Sequence, residues 1–239
     1  MKRKNRLFAF IVLTIIPALI LSGCSDVSLQ TRTDDVSNFE RIQINTFGEF
    51  IIEQGDEESL TIEAPRDYLR YITSEVQNNT LMIDTRRGFI GGPIQRVTYT
   101  ITVKNLEKIS LEGAGAIKIF ELDTDDLMIN LTGAGSVEVD DLKADTLDVN
   151  LSSAGAIIIA GEVDSQEVAI SGVGSYEAGD LYSNEAEILL TGAGSAVVWV
   201  ENSLDVEVTG VGSVAYFGDN PDVYQNVSGL GSVNSKGEH

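Results

Sequence analysis

One cysteine, one histidine, one tryptophan and four prolines are all that 239 residues hold of those types. A lone thiol, Cys24, excludes an internal disulfide and does not suit a thiol enzyme. The lone histidine is His239, the last residue, so a serine hydrolase would have no imidazole base in the body of the chain. Positive charge is scarce as well. Sixteen Lys and Arg stand against 37 Asp and Glu, a net charge of −21 that becomes −25 without Lys2, Arg3, Lys4 and Arg6. That surface repels phosphate backbones and excludes nucleic acid as a partner. No helical 3.6 period runs through the C-terminal half.

What is present is one short phrase, returning seven times at intervals of 18–20 residues. It reads Gly113-Ala114-Gly115-Ala116, Gly133-Ala134-Gly135-Ser136, Ser153-Ala154-Gly155-Ala156, Gly172-Val173-Gly174-Ser175, Gly192-Ala193-Gly194-Ser195, Gly210-Val211-Gly212-Ser213 and Gly229-Leu230-Gly231-Ser232. An apolar β-former sits two residues before each phrase, from Leu111 and Leu131 to Val208 and Val227. Apolar residues alternate again after it, as in Ile117 and Ile119 or Val137 and Val139. Period 2 on both sides of a small-residue corner means strand, corner, strand. Glycine at the corner suits a turn with positive φ. Each repeat is too small to bury its own apolar face, so neighbours must stack. The expected fold is all-β: a parallel β-helix of about seven coils, right-handed by the crossover rule, roughly 29 Å tall at about 4.8 Å per coil.

Residues 1–23 read as an export signal. A basic start precedes the apolar run Leu7–Leu21, interrupted by Thr14 and Pro17. At ~1.5 Å per residue the run is too short for a ~30 Å hydrocarbon core. It ends in Leu21-Ser22-Gly23-Cys24, which looks like a bacterial lipobox, so Cys24 is the expected lipidation site. Acyl chains there make the membrane a partner. Residues 24–37 are polar and read as a tether. Ser25 after the cysteine resembles the pattern for outer-membrane delivery, which leaves the domain facing either the periplasm or the outside.

Residues 38–104 lack the glycine corners and carry short strand-like runs between turns at Gly48, Gly55-Asp56, Pro65 and Asn78-Asn79. This block is expected to enter and cap residues 105–239, the coil proper, because an uncovered coil end presents unpaired backbone groups. Phe39-Glu40-Arg41-Ile42, Phe50-Ile51-Ile52-Glu53-Gln54-Gly55 and Leu60-Thr61-Ile62-Glu63-Ala64 resemble the opening of the bacterial head-GIN-domain family, the autotransporter-adhesin group of lipoprotein type. Tyr99-Thr100-Ile101-Thr102-Val103 and the serial corners complete the likeness. The resemblance runs from Asn38 to the end. It implies an envelope lipoprotein with a β-helical domain, and it carries no catalytic or ligand-binding residue over to this chain. Ser153 departs from the glycine pattern.

Four constellations bear on function. Thr132, Ser152, Ser171, Thr191, Thr209 and Ser228 form a hydroxyl column before the corners, and Ser136, Ser175, Ser195, Ser213 and Ser232 form one after them. Stacking lets such groups bond along the ladder, or present a flat hydroxyl array to glycan or ice. A second column reads Phe120, Asp140, Ala160, Gly179, Trp199 and Phe217. Trp199, Phe217, Tyr216 and Phe120 are the candidate ligand-binding residues, with rings that stack on sugars or else tuck against the C-terminal coil. Acidic turns at Asp123–Asp126, Asp140-Asp141 and Asp219 suit solvated loops, and no calcium motif is present. Arg86 to Arg96 forms a basic Gly-rich loop that fits an anionic glycan or a mobile hairpin.

These readings converge on a non-enzymatic, adhesin-like binding or scaffold module of the cell envelope, with no cofactor and no metal. Its expected partners are the membrane and a glycan or envelope protein, and the last coil is open to pairing with a second copy. The competing classes are a polysaccharide-lyase-like β-helix enzyme and a purely structural envelope-stress component. Basic residues are scarce in the coils, with Lys118, Lys143 and Lys236 joined only by Lys108 at their start, which argues against a lyase.

Overall fold

A computed structural model describes residues 28–86 and 96–239. The export signal, Cys24 and all but the ends of the Arg86–Arg96 loop lie outside the described residues.

In chain order the elements are β1 (Leu29–Asp34), β2 (Arg41–Asn45), β3 (Phe47–Gln54), β4 (Ser59–Pro65), a helical turn α1 (Arg66–Leu69), β5 (Ile72–Gln77), β6 (Thr80–Thr85) and β7 (Thr98–Val103). The repeats follow as β8 (Lys108–Leu111), β9 (Ala114–Ile119), β10 (Leu122–Asp123), β11 (Asp126–Leu131), β12 (Ala134–Leu151), β13 (Ala154–Ile170), β14 (Val173–Leu190), β15 (Ala193–Val208), β16 (Val211–Phe217), β17 (Asp222–Val227) and β18 (Leu230–Ser235). From β8 onward every pairing is parallel and in register with the phrase: Gly115 lies against Gly135, Gly135 against Gly155, and so on to Gly212 against Gly231. The chain is a parallel β-solenoid of about six turns, the number that separates seven corners.

Stacking places like on like. Ile109, Ile129, Val149, Val168, Ile188 and Val206 form one buried column before the corners, and Leu111, Leu131, Leu151, Ile170, Leu190 and Val208 form the next. Each aliphatic side chain, fully buried, is worth about 1.5–3 kcal/mol, so the columns are the main source of stability. The alternation of buried and exposed positions follows from the pleat, which turns every second side chain inward.

The corner glycines answer to packing more than to φ. Of the phrase glycines only Gly135 has positive φ, and at 158° it is nearly extended. The expected positive-φ turn is therefore not the reason for glycine. A Cβ at Gly133 would lie 1.9 Å from the carbonyl oxygen of Gly113, and one at Gly192 would lie 2.1 Å from that of Gly172. At these two corners the backbones of neighbouring coils approach too closely for a side chain unless one of them shifts. Where Ser153 replaces glycine, its hydroxyl donates to the Leu131 carbonyl at 3.2 Å.

A third, shorter ladder absorbs the variation in repeat length. Leu122 pairs with Leu142, Leu142 with Gly161, and Gly161 with Leu181. Bulges at Val139/Leu142, Ile158/Ala160, Ala178/Tyr182 and Ser183/Glu185 add or drop residues there, leaving the corners aligned.

The entry block both starts and caps the stack. β2 and β3 already form a coil: Ile42 and Ile44 pair with Ile109 and Leu111, while Phe47 and Gly48 pair with Ala114 and Gly115. Coiling therefore begins before residue 105, with Gly48 (φ 145°) at its corner. Beyond that coil β7 joins β3, β4 pairs antiparallel with β7, and β1 pairs antiparallel with β4. On the other side β6 joins β2 and β5 pairs antiparallel with β6. The expected tether is thus partly a strand. β1 escaped a pattern reading because Gln30 to Asp34 are polar throughout. Its hold comes from Arg32, which bonds both carboxylate oxygens of Asp34 at 2.7 and 2.8 Å and donates to the carbonyls of Leu69 and Ile72.

Candidate functional site

The bulge between Ala178 and Tyr182 decides where the aromatic residues meet. Counting from the corners sets Trp199 over Gly179, but the register sets it against Tyr182, because β14 spends three more residues than β15 before the ladder resumes. Phe217 pairs with Trp199 as the spacing suggests. Tyr182, Trp199 and Phe217 therefore climb three successive coils. Tyr182 meets Trp199 edge-on at 5.3 Å between ring centroids and 89° between planes. Gly179 lies where a Cβ would come within 3.3 Å of the Phe217 ring, so its lack of side chain leaves room for that ring.

This shelf is covered. The C-terminal segment continues β18 parallel to β16, with the Lys236 N–H donating to the Tyr216 carbonyl at 2.8 Å and the Gly218 N–H donating to the Gly237 carbonyl at 3.1 Å. It sets the His239 imidazole flat on Trp199, 4.1 Å between centroids and 7° between planes. Phe217 meets the same imidazole edge-on at 5.1 Å, and the Lys236 ammonium lies 5.1 Å from the Phe217 centroid. His239 Nε2 stands 3.3 Å from Asp180 Oδ1. Tyr216, half-buried, packs against the core and leaves its side chain out of the ring stack.

A buried chain of hydrogen bonds supports the shelf from below. Tyr176 donates to Gln166 Oε1 at 2.9 Å, Gln166 Nε2 donates to Ser183 Oγ at 2.8 Å, and Ser183 Oγ donates to the Trp199 carbonyl at 2.7 Å. All three side chains are buried, in columns otherwise filled by Leu147, Ala186, Ile157 and Ala196. Burial pushes the Tyr176 hydroxyl far above its usual range, so it stays a donor.

Phe120 does not join this group. It precedes the bulged part of the ladder on an earlier coil and lies beneath the Lys118 ammonium, 5.5 Å from ring centroid to nitrogen. Lys118 bridges Glu138 and Asp140 on the next coil. Burial lowers its pKa, but the bonds from Asp140 and Glu138 outweigh that and hold it above the usual range.

Two grooves flank these features. One of about 470 Å³ runs beside the shelf, floored by Ile158, Ala160, Gly179 and Val197 and edged by Asp180 and Lys236. A larger one, about 800 Å³, lies on the face before the corners near the capped end. There Gln43, Ser110 and Asn130 line up on successive coils. These three were not singled out in the sequence, although Ser110 and Asn130 recur at the same distance before a corner. Among the described residues no helix is long and apolar enough to cross a membrane, and no three His, Cys, Asp or Glu side chains gather into a metal site. Thr132, Ser152, Ser171, Thr191, Thr209 and Ser228 are exposed, and among the described residues no hydrogen bond joins one to the next. The column before the corners is a solvated hydroxyl array, whereas Ser136, Ser175 and Ser195 of the column after them are half-buried.

Fold and shelf together define a capped parallel β-solenoid with an aromatic ladder on its short side. The chain belongs to the family described as "Putative auto-transporter adhesin, head GIN domain", whose model matches residues 38–220. A putative adhesin from Bacteroides fragilis is 29% identical, superposes with a TM-score of 0.84, and aligns over 87% of this chain and 97% of its own. A putative lipid binding protein from Parabacteroides distasonis is 24% identical with a TM-score of 0.68, over 88% of this chain and 97% of its own. A putative adhesin from Parabacteroides merdae is 20% identical with a TM-score of 0.64, over 88% and 97%. These last two share the fold. No curated protein matches the chain in sequence.

Proposed function

We propose that this chain is an adhesin-like binding module of the bacterial envelope that works without catalysis, tethered to the outer membrane by lipid on Cys24. The observation that carries the reading is the in-register stack, which holds side chains of successive coils in fixed columns on a rigid lateral face. Such a face recognises an extended ligand at low entropic cost, because little needs to be ordered on binding. A glycan or an envelope protein is the partner that suits the shelf and its groove. The export signal and the lipobox-like Leu21-Ser22-Gly23-Cys24 supply the route to the membrane.

Protease shaving of intact cells, comparing wild type with Cys24→Ala, tests this. Cleavage of the wild type on intact cells, with release of the variant from the membrane fraction, is the expected result. A variant that stays membrane-bound to the same extent removes the lipid anchor from the proposal. Protection of the wild type until the envelope is opened moves the module's partner inside the envelope.

A further inference from the structure

The contacts His239 makes are those of a ligand. Its planar ring lies flat on Trp199, a second ring closes from the edge, and a ring nitrogen meets a carboxylate at the rim. A pyranose makes the same set: an apolar C–H face on an indole and a hydroxyl donated to an aspartate. The groove of about 470 Å³ borders the site, with which it shares Asp180 and Lys236, and gives further sugar units room beside the first. The strap that delivers His239 is thin. Backbone bonds at Lys236 and Gly237 and the Lys236–Phe217 contact hold it, and no residue of 236–239 is buried. Beneath it the platform is rigid, pinned through Ser183 to the buried Gln166 and Tyr176.

We infer that the Trp199 face is a pyranose-stacking platform for an uncharged glycan, and that His239 occupies it as a built-in stand-in which the glycan displaces. This rests on the adhesin-like reading above and adds the ligand class and a self-occlusion to it. An occupied site weakens apparent affinity by the fraction of time it is closed, so removing the stand-in strengthens binding.

Trp199 is the sole tryptophan, so emission excited selectively in tryptophan over the seven tyrosines reports on this site alone. Chitotriose, maltotriose and mannotriose are titrated against the exported chain, its His239→Ala variant and its Asp180→Asn variant. Asp180 is exposed, which spares the packing. His239→Ala is expected to raise collisional quenching of Trp199 by acrylamide about twofold and to lower the Kd of a responding sugar about fivefold. Asp180→Asn is expected to weaken that sugar in the wild-type background and with His239→Ala alike. Quenching unchanged by His239→Ala, or no sugar shifting Trp199 emission in any of the three proteins, overturns the inference. A glycan-array signal that persists in Trp199→Ala also overturns it, yet leaves the adhesin-like reading standing. That reading falls separately if the lipidated wild type shows neither array nor cell-surface binding while sugars still shift Trp199 emission.

Discussion

Ser183 Oγ donates to the carbonyl oxygen of Trp199 at 2.7 Å, and that bond ties a fully buried hydroxyl of the solenoid to the half-buried ring cluster on its side. Ser183 occupies an inward position where the coil below has Val163 and the coil above has Val200. A serine there would strand a hydroxyl in the core, were it not the last donor in a chain that begins at Tyr176.

Tyr176→Phe breaks the chain at its start. It leaves Gln166 Oε1 buried without a donor, which costs about 1–3 kcal/mol. Adding Gln166→Leu removes the orphaned acceptor, so the double variant is expected to recover most of the loss. Urea unfolding of both proteins measures this, with an unchanged m-value as the sign that the folded state is intact.

Glycine at the corners and glycine beside the shelf should respond differently to alanine. A Cβ at Gly172 would meet Ser153 O at 2.2 Å and Ser153 N at 2.6 Å, and neither backbone atom can move without disturbing the stack. Gly172→Ala is expected to cost about 3 kcal/mol or more. Gly179→Ala meets only the Phe217 ring and a Val197 methyl, both at 3.3 Å, and should cost about 1 kcal/mol or less. Equal losses from the two variants would disprove the backbone-contact account of the phrase.

The Lys118 cluster tests whether cross-coil ion pairs matter. Lys118 bridges Glu138 and Asp140 on a solvated face, where such pairs are worth little. Lys118→Met should therefore change stability by less than about 1 kcal/mol, and the small loss should shrink further in high salt. A thermal melt at two salt concentrations distinguishes this from a structural role for the pair.

The stacked architecture was legible because the corner phrase repeats with so little change. Leu111, Leu131 and Leu151 announce both a strand and its neighbours. The aromatic site was legible only in part. Trp199 and Phe217 do share a column, but the bulge after Ala178 that replaces Gly179 by Tyr182 leaves no mark in the spacing of glycines. Nor did His239 invite attention, since its role depends on the tail following β16 past Phe217 by backbone bonds. Gln166 and Ser183 look like ordinary surface residues in sequence, and only the register turns them inward. β1 was invisible for the opposite reason: an edge strand needs no apolar alternation, and Arg32 holds it through Asp34, Leu69 and Ile72.

High pH should open the molecule from its capped end. Tyr99 is buried in β7, its ring stacked on Phe50 at 4.4 Å and 10°, with its hydroxyl 3.5 Å from Thr46 Oγ1. Burial pushes its pKa from 10.0 up to about 12, against a smaller lowering by Thr46 and Arg32. The unfolded chain loses this proton near pH 10.0 while the folded chain keeps it to about 12, so the folded state is the better proton binder. Stability is fully retained below pH 10 and falls as pH rises through that window, by about 2–3 kcal/mol for a shift of this size. Tyr176 adds to the fall in the same direction. Tyr99→Phe removes the first ionisation and should flatten the drop in urea midpoint between about pH 10 and pH 12. If the drop is as steep in Tyr99→Phe as in wild type, Tyr99 is not the group that fails, and Tyr176 in the middle of the stack becomes the site of alkaline unfolding.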